Sequence, residues 1–293
     1  MKLATIRLND EQTSRQKSNS AEHTAAVRVD SQENDSRYTV IDGYASLSKL
    51  LCHMGGTKAL EIAKAANGQT GDFTTADLAP VLPQPEKIIC VGVNYLRHIA
   101  EMGREPAKYP TFFAKFPNAL AGAKDPLVIP RETNSFDYEG ELAVIIGKRV
   151  RRVKGAAARE AIFGYTIAND GSARDWQNRT PQWDQGKMWD GSTPLGPVIV
   201  TPDEVPDDAQ LVTHIDGEVR QCARINDRLF DSVALVEYLS TIMTLKPGDV
   251  ILTGTPGGVG HGMTPPRYLT HGNLVEISIA GIGKLANRVV AEA

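Results

Sequence analysis

Apolar residues recur along the chain mainly in short alternating or continuous runs, which predict more strands than helices. Extended segments are predicted at Leu3–Leu8, Ala25–Val29, Lys87–Val93, Val128–Pro130, Leu142–Ile146, Gly164–Asn169, Val198–Thr201, Gln210–Ile215, Val250–Thr253 and Leu274–Ile279. Helical spacing is predicted over Leu47–Ala66, broken at Gly55-Gly56, and over Ala156–Ala161 and Leu229–Met243. Because these strands and helices lack a regular βαβ alternation, we expect a β-rich α+β fold with a mixed sheet.

The first 80 residues differ from the rest of the chain. They contain no recognisable chemistry, and a polar, turn-like stretch over residues 9–24 separates their first two strands. A proline-rich stretch over Leu82–Glu86 resembles a linker. We therefore predict a small N-terminal α+β domain over residues 1–80 and a catalytic domain over residues 81–293.

Composition narrows the class of protein. The chain has 293 residues and a net charge of −3, which argues against a nucleic-acid-binding protein. Three distant cysteines suggest free thiols in a reducing cytoplasm. The N-terminus has no long apolar run, so neither a secretion signal nor a membrane anchor is expected.

The most informative segment is Phe136-Asp-Tyr-Glu-Gly-Glu-Leu-Ala-Val-Ile-Ile-Gly147. If this segment is a strand, period-two alternation places Asp137, Glu139 and Glu141 on one face, next to an apolar run that enters the core. Carboxylates in that position need a counter-cation, and oxygen-only ligands suit Mg²⁺, Mn²⁺ or Ca²⁺. Asp170 lies in a second polar turn and could supply a further ligand. The alternatives are a solvated acidic edge strand and an ordinary Asx turn.

Three further groups of residues could surround such a site. His98 and Glu101 share a face of a short helix predicted over Tyr95–Met102 with Asn94 as its cap; they form either a general base or a surface pair. A segment rich in tryptophan and cationic side chains, Arg174–Trp189, either lines a pocket or is a surface loop. Glycine-rich Thr253–Gly260 either brings backbone amides to a carboxylate or forms a plain hairpin turn.

In this order, these segments make residues 85–290 resemble the fumarylacetoacetate hydrolase family. The resemblance rests on Val91-Gly-Val-Asn-Tyr-Leu-Arg-His98 with Glu101, the Glu139-x-Glu141 strand, Asn169-Asp-Gly-Ser-Ala-Arg-Asp-Trp-Gln177, Lys187 and Thr253-Gly-Thr-Pro-Gly-Gly-Val-Gly260. It implies a β-rich roll, usually a homodimer, with the histidine on a lid. Some members carry an additional metal-binding aspartate before the histidine; here that stretch is Gly92-Val-Asn94, so water is expected to complete the coordination.

The same resemblance implies a role for each candidate residue. The metal ligands for Mg²⁺ or Mn²⁺, with Ca²⁺ also compatible, would be Glu139, Glu141 and Asp170. The catalytic residues would be His98, Glu101 and Lys187, and the substrate-binding residues Tyr95, Arg174, Gln177 and Thr255. The implied substrate is a small 2-keto acid.

The reaction expected first is hydrolytic C–C cleavage of a β-diketo acid of the acylpyruvate type. His98, oriented by Glu101, would activate water, Lys187 would stabilise the oxyanion, and the pyruvate enolate would leave. Decarboxylation, isomerisation, or hydration and dehydration of a related keto acid could use the same site. A non-catalytic binding protein remains a third interpretation.

Overall fold

A computed structural model describes residues 1–9, 24–32, 35–96 and 105–293. The strands are β1 Lys2–Arg7, β2 Thr24–Gln32, β3 Asp35–Val40, β4 Thr70–Asp72, β5 Ile88–Gly92, β6 Thr111–Lys115, β7 Leu120–Ala121, β8 Leu127–Ile129, β9 Phe136–Asp137, β10 Gly140–Ile146, β11 Ile162–Asn169, β12 Ser172–Ala173, β13 Thr193–Val200, β14 Gln210–Ile215, β15 Glu218–Arg224, β16 Val250–Leu252, β17 Leu274–Ile279 and β18 Gly283–Ala291. The α-helices are α1 Leu47–Lys64, α2 Ala156–Arg159, α3 Arg174–Gln177 and α4 Ser232–Ile242.

Two sheets dominate the described part of the chain. The larger has the order β4-β3-β2-β1-β13-β11-β10-β16-β5-β6, with β7 beside β13, and the smaller has the order β15-β14-β17-β18-β8. Both contain parallel and antiparallel pairs. The β-rich α+β prediction is therefore confirmed. Because β1 pairs with β13, the N-terminal strands continue the larger sheet, and the predicted boundary at residue 80 stays a prediction.

Alternation along β10 explains why this strand is apolar from Leu142 to Ile146. Ala143 and Ile145 pack in a core cluster with α1, whereas Val144 and Ile146 pack in another with α2 and α4. A third cluster joins residues of β1, β2 and β3 to those of β14, β17 and β18 in the smaller sheet. Both faces of β10 are thus buried, as its sequence pattern requires.

Helix α1 begins at the predicted place and carries the predicted break. Ser46 caps it by accepting a hydrogen bond from the Lys49 amide. Gly55 lies inside it with φ 69° and ψ 168°, a conformation that glycine adopts without a Cβ penalty. Within the described ranges, none of the helices combines the length and apolar character needed to cross a bilayer.

Candidate metal centre and active site

Four chain segments meet at one end of the larger sheet. β10 runs antiparallel to β11 and β16, and β16 runs parallel to β5. The start of β10 therefore lies beside the ends of β11, β16 and β5. This topology gathers Glu141, Asp170, Gly254 and Val93 at one edge, although they are far apart in sequence.

Three buried carboxylates come together at this edge. One oxygen each from Glu139, Glu141 and Asp170 lies within 4.8 Å of the others, and all three residues are buried. Asp170 follows β11 directly, and its backbone N–H donates to the Glu139 carbonyl at 2.9 Å. Glu139 and Glu141, which the strand spacing singled out, thus form one cluster with Asp170 of the predicted turn. Asp137 lies outside this cluster.

Two buried lysines neutralise Asp170. Lys115 Nζ lies 2.6 Å from Asp170 Oδ1, and Lys187 Nζ lies 2.9 Å from Oδ2 and 2.8 Å from Glu139 Oε2. Burial alone would raise the pKa of Asp170, but the charges and hydrogen bonds of both lysines outweigh it and lower that pKa to about 2. Burial would likewise lower the pKa of Lys187, yet Asp170 and Glu139 raise it. Asp170 and Lys187 are therefore both charged at neutral pH.

Glu141 differs from the other two carboxylates because no lysine or arginine among the described residues pairs with it. Its Oε2 accepts the Gly254 N–H at 2.7 Å. Burial, reinforced by the charges of Asp170 and Glu139, raises its pKa well above the ordinary value. A buried carboxylate without a cationic partner is unfavourable unless a cation joins it. Together with the oxygen-only donor set, this fits a divalent cation held by Glu139, Glu141 and Asp170.

Arg174 is fixed at the side of this cluster by Asp137. Arg174 Nε donates to Asp137 Oδ2 at 2.9 Å, and its Nη1 lies 2.6 Å from Glu139 Oε1. The same Nη1 donates to Gln177 Oε1 at 3.0 Å, and Gln177, whose amide nitrogen is a donor, also lines the cavity. Burial opposes the charge on Arg174, but Glu139 and Asp137 raise its pKa overall.

The glycine-rich loop binds the protein's own carboxylates through its amides. Gly254 donates to Glu141, and the Gly260 N–H donates to Asp137 Oδ1 at 2.8 Å. Thr255 Oγ1 donates to the Gly140 carbonyl at 3.0 Å and accepts from Gln221 Nε2 at 2.7 Å, so its proton is already engaged. The expectation that amides of this loop approach a carboxylate is therefore met at Gly254 and Gly260, and the carboxylates belong to Glu141 and Asp137.

A cavity of about 470 Å³ opens onto the cluster. Its lining includes Glu139, Glu141, Arg174, Gln177, Lys187 and Thr255. Trp183 forms part of its wall beside Phe113, with ring centroids 5.7 Å apart. Of the three tryptophans expected to border a pocket, Trp183 does so, whereas Trp176 and Trp189 pack against each other at 5.1 Å, outside this lining.

A larger cavity of about 940 Å³ lies elsewhere, lined by residues of β1, β2 and α1. None of the three clustered carboxylates lines it, so we assign the candidate site to the smaller cavity. The clustered carboxylates, rather than the cavity volume, therefore identify the candidate site.

The segment after β5 differs from expectation where it is described. Tyr95 is completely buried, its hydroxyl has no hydrogen-bond partner, and it is absent from the cavity lining. Asn94 does not cap through its Oδ1, which accepts the Phe230 N–H at 2.8 Å, while its Nδ2 donates to the Thr253 carbonyl at 2.8 Å. His98 and Glu101 lie outside the described residues.

Sequence inspection missed two contributors to the site. Lys115 lies at the end of the unpredicted strand β6, and the available signal was a lone lysine within an aromatic run, Thr111-Phe-Phe-Ala-Lys-Phe116. Asp137 was grouped with Glu139 and Glu141 by strand alternation and had no role in the family pattern, yet it is fully buried and holds Arg174. The signal there was an acidic residue shortly before the buried strand β10. An acidic side chain next to the core needs a cationic partner of its own.

Comparisons with known proteins match this geometry to one family. The sequence model described as "Fumarylacetoacetate (FAA) hydrolase C-terminal" matches residues 87–290. Oxaloacetate tautomerase YisK from Bacillus subtilis (strain 168) is 40% identical over 261 residues, covering 86% of each chain. A solved 5-carboxymethyl-2-hydroxymuconate delta-isomerase from Mycobacterium smegmatis is 35% identical, with TM-score 0.79 and 100% coverage of both chains. A fumarylacetoacetate hydrolase from Exiguobacterium antarcticum is 36% identical, with TM-score 0.76, covering 91% of this chain and 99% of that one.

Proposed function

The chain belongs to the fumarylacetoacetate hydrolase family, and on that premise we propose that it is a divalent-metal-dependent enzyme that converts a 2-keto acid through its enolate. The reaction that we favour is keto–enol tautomerisation of oxaloacetate or a close analogue. The observation that carries the proposal is the buried cluster of Glu139, Glu141 and Asp170 beneath an open cavity.

Glu139, Glu141 and Asp170 would hold the cation, with Mg²⁺ or Mn²⁺ the expected ions. When bound, the cation supplies Lewis-acid stabilisation of negative charge on the substrate. Lys187 now lies between Glu139 and Asp170, so its ammonium group would shift to make room and would then face the cavity. There it would donate to the enolate oxygen, a contribution of about 3 kcal/mol if it resembles a single oxyanion donor.

The rest of the lining would orient the substrate. Arg174 is held on two sides by Asp137 and Glu139, which makes it a rigid positive charge near the substrate carboxylate. The Gln177 amide group is free to donate, because its oxygen is engaged by Arg174. Thr255 is a further residue of the same lining. Such fixed groups favour one orientation of a planar enolate.

Tautomerisation needs a group that moves a proton between the carbon beside the keto group and the keto oxygen. We assign this role to His98, with Glu101 holding its imidazole, as the family motif implies. The reaction is an internal transfer, so its atoms balance without water or another co-reactant. Tyr95 is buried outside the cavity lining, so in this proposal it supports the segment that carries His98.

Hydrolytic cleavage of an acylpyruvate is the second candidate, expected first from the sequence. The same His98–Glu101 pair would instead activate water for attack on the distal carbonyl. The solved Exiguobacterium relative is described as a hydrolase, which keeps this reaction open. We place tautomerisation first because the Bacillus relative is a tautomerase and the Mycobacterium structure is described as an isomerase. Decarboxylation or hydration of a keto acid would use the same enolate.

We also propose a cytoplasmic homodimer.

One experiment separates these reactions. The protein, loaded with Mg²⁺ or Mn²⁺, is mixed with enol oxaloacetate, with acylpyruvates and fumarylpyruvate, and with keto-deoxy sugar acids, and products are identified by NMR and mass. We expect rapid conversion of the enol to keto oxaloacetate without a change of mass. Cleavage of an acylpyruvate at a greater kcat/KM would instead support the hydrolase. Failure on every keto acid with either metal would refute both candidates.

A further inference from the structure

His261 belongs to the exposed part of the cavity lining, whereas the floor is the buried network of ion-paired carboxylates and cationic side chains around the three clustered carboxylates. It is exposed and lines the same cavity as Glu139 and Glu141, which are buried. The other basic side chains in the described part of this lining are Arg174 and Lys187, and each is already held by two carboxylates. His261 is thus the basic group of the described lining that no acid neutralises.

One contact holds the His261 backbone and another orients its ring. Its backbone N–H donates to Asp137 Oδ2 at 2.9 Å, and this same oxygen accepts from Arg174 Nε. Its Nδ1 lies 2.8 Å from the Tyr268 hydroxyl, and the two rings are stacked at an interplanar angle of 25°. When Tyr268 donates to Nδ1, the ring proton is on Nε2. Nε2 is then a hydrogen-bond donor on a ring that is held in place before a ligand arrives.

The charges of the floor leave a second carboxylate of a substrate without a partner, and such a donor would supply one. Four carboxylates face three cationic side chains there: Asp137, Glu139, Glu141 and Asp170 against Lys115, Arg174 and Lys187. With all of them ionised, the net charge is −1, and a divalent cation would change it to +1. The carboxylate beside a substrate's keto group cancels that charge. A second carboxylate on the substrate would therefore need a partner outside the floor.

We propose that His261, oriented by Tyr268, is the specificity-determining residue that binds the distal carboxylate of a 2-keto dicarboxylic acid. The inference rests on the proposed function, since it takes the keto-acid end of the ligand to lie on the metal cluster. It adds a prediction about specificity: 2-keto dicarboxylic acids bind better than 2-keto monocarboxylic acids of the same length. Asp137 couples the two ends, because it holds Arg174 through its side chain and His261 through its backbone.

The test uses three small probes on the Mg²⁺-loaded protein, measured by calorimetry. Oxalate reports chelation at the floor alone, whereas 2-oxoglutarate and 2-oxopentanoate have the same number of carbons and differ in the distal carboxylate. We expect the wild type to bind 2-oxoglutarate about tenfold more tightly than 2-oxopentanoate, as for one solvent-exposed, charge-assisted hydrogen bond. His261→Ala should abolish that ratio and leave oxalate binding unchanged. Its backbone bond to Asp137 survives the substitution.

Two variants serve as controls, and each outcome decides the matter. His261→Gln, whose Nε2 can replace the ring donor, should restore part of the ratio. His53→Ala, at an exposed position of α1, should behave as the wild type. If oxalate binds but the wild type does not prefer 2-oxoglutarate, or if His261→Ala keeps the preference, the distal site is refuted and the metal-chelating floor stands. If oxalate itself fails to bind with Mg²⁺, the proposed function and the distal site fail together.

Discussion

Lys115 and Asp170 form an ion pair of 2.6 Å in which both side chains are completely buried. Lys115 also donates to the Gly171 carbonyl at 3.1 Å, so its ammonium group is fixed by the turn that carries Asp170. Asp170 is one of three clustered carboxylates. The pair therefore sets both the position of a candidate metal ligand and the stability of the protein before any cation binds.

Lys115→Met should destabilise the metal-free protein by about 3–5 kcal/mol, because it leaves a buried carboxylate with less compensation. Added Mg²⁺ should recover part of this loss, since a cation that binds only the folded state stabilises it. Thermal unfolding in EDTA and in excess Mg²⁺ measures both effects. A variant that melts like the wild type in EDTA would show that the pair contributes little.

Glu141→Gln should stabilise the metal-free protein while abolishing metal binding. The substitution removes a buried charge, and the Gln oxygen can still accept the Gly254 N–H. Because the folded-state pKa of Glu141 is raised by burial, Asp170 and Glu139, its ionisation costs stability as pH rises above the ordinary value of 4.5. We expect a gain of about 1–2 kcal/mol at pH 7 that shrinks toward zero below pH 4.5, as urea unfolding in EDTA would show. An equal gain at both pH values would contradict this explanation.

Lys187→Met should tighten metal binding and slow turnover. The Lys187 ammonium group lies 2.8 Å from Glu139 and 2.9 Å from Asp170, so it competes with a cation for two ligands. Its loss should lower the Kd for Mn²⁺, while kcat falls about 10²–10³-fold as an oxyanion donor disappears. Calorimetry and initial rates are the measurements. Weaker Mn²⁺ binding with unchanged kcat would contradict both roles of Lys187, as a competitor of the cation and as an oxyanion donor.

Asp137→Asn should damage the site although Asp137 is not a candidate ligand. Asp137 accepts from Arg174, Gly260 and His261, and an amide would present N–H groups to some of these donors. We expect a loss of about 2–4 kcal/mol in stability and a raised KM for keto acids, because one of the two carboxylates that anchor Arg174 loses its charge. Asp216→Asn, which alters an exposed side chain that accepts from Asn273, is a matched control. Wild-type stability in Asp137→Asn would contradict the network.

His98→Ala should reduce turnover by about 10²–10⁴-fold if His98 is the proton-transfer residue. Binding of Mn²⁺ should stay unchanged, because His98 is not a proposed ligand. Rapid-mixing kinetics with enol oxaloacetate, corrected for spontaneous ketonisation, gives the rate. Full activity in His98→Ala would move the proton transfer to another group.

The sequence predicted the regular parts of this architecture well. β14 and β17 have the predicted bounds, and α1 bends at the predicted Gly55. These elements have a clear apolar periodicity, and such a pattern predicts secondary structure from the local sequence alone. β18 was missed because Lys284 and Arg288 interrupt its apolar pattern, and β6 because its apolar run is short and pairing with β5 decides its conformation.

The site was predictable only in part, for the same reason. Glu139 and Glu141 share a local spacing that indicates a cluster, and the family motifs added Asp170. Lys115 could not be placed, because its contact with Asp170 joins residues 55 positions apart through strand order. Asn94 resembled a helix cap, but its side chain instead ties together the chain at Phe230 and Thr253.

Titration with Mn²⁺, followed by electron paramagnetic resonance, tests the central claim most directly. We expect the wild-type chain to bind one Mn²⁺, oxalate to tighten this binding, and Glu141→Gln to abolish it while remaining folded. Unchanged Mn²⁺ binding in Glu141→Gln, or no binding in the wild type even with oxalate, would contradict a metal centre on Glu139, Glu141 and Asp170.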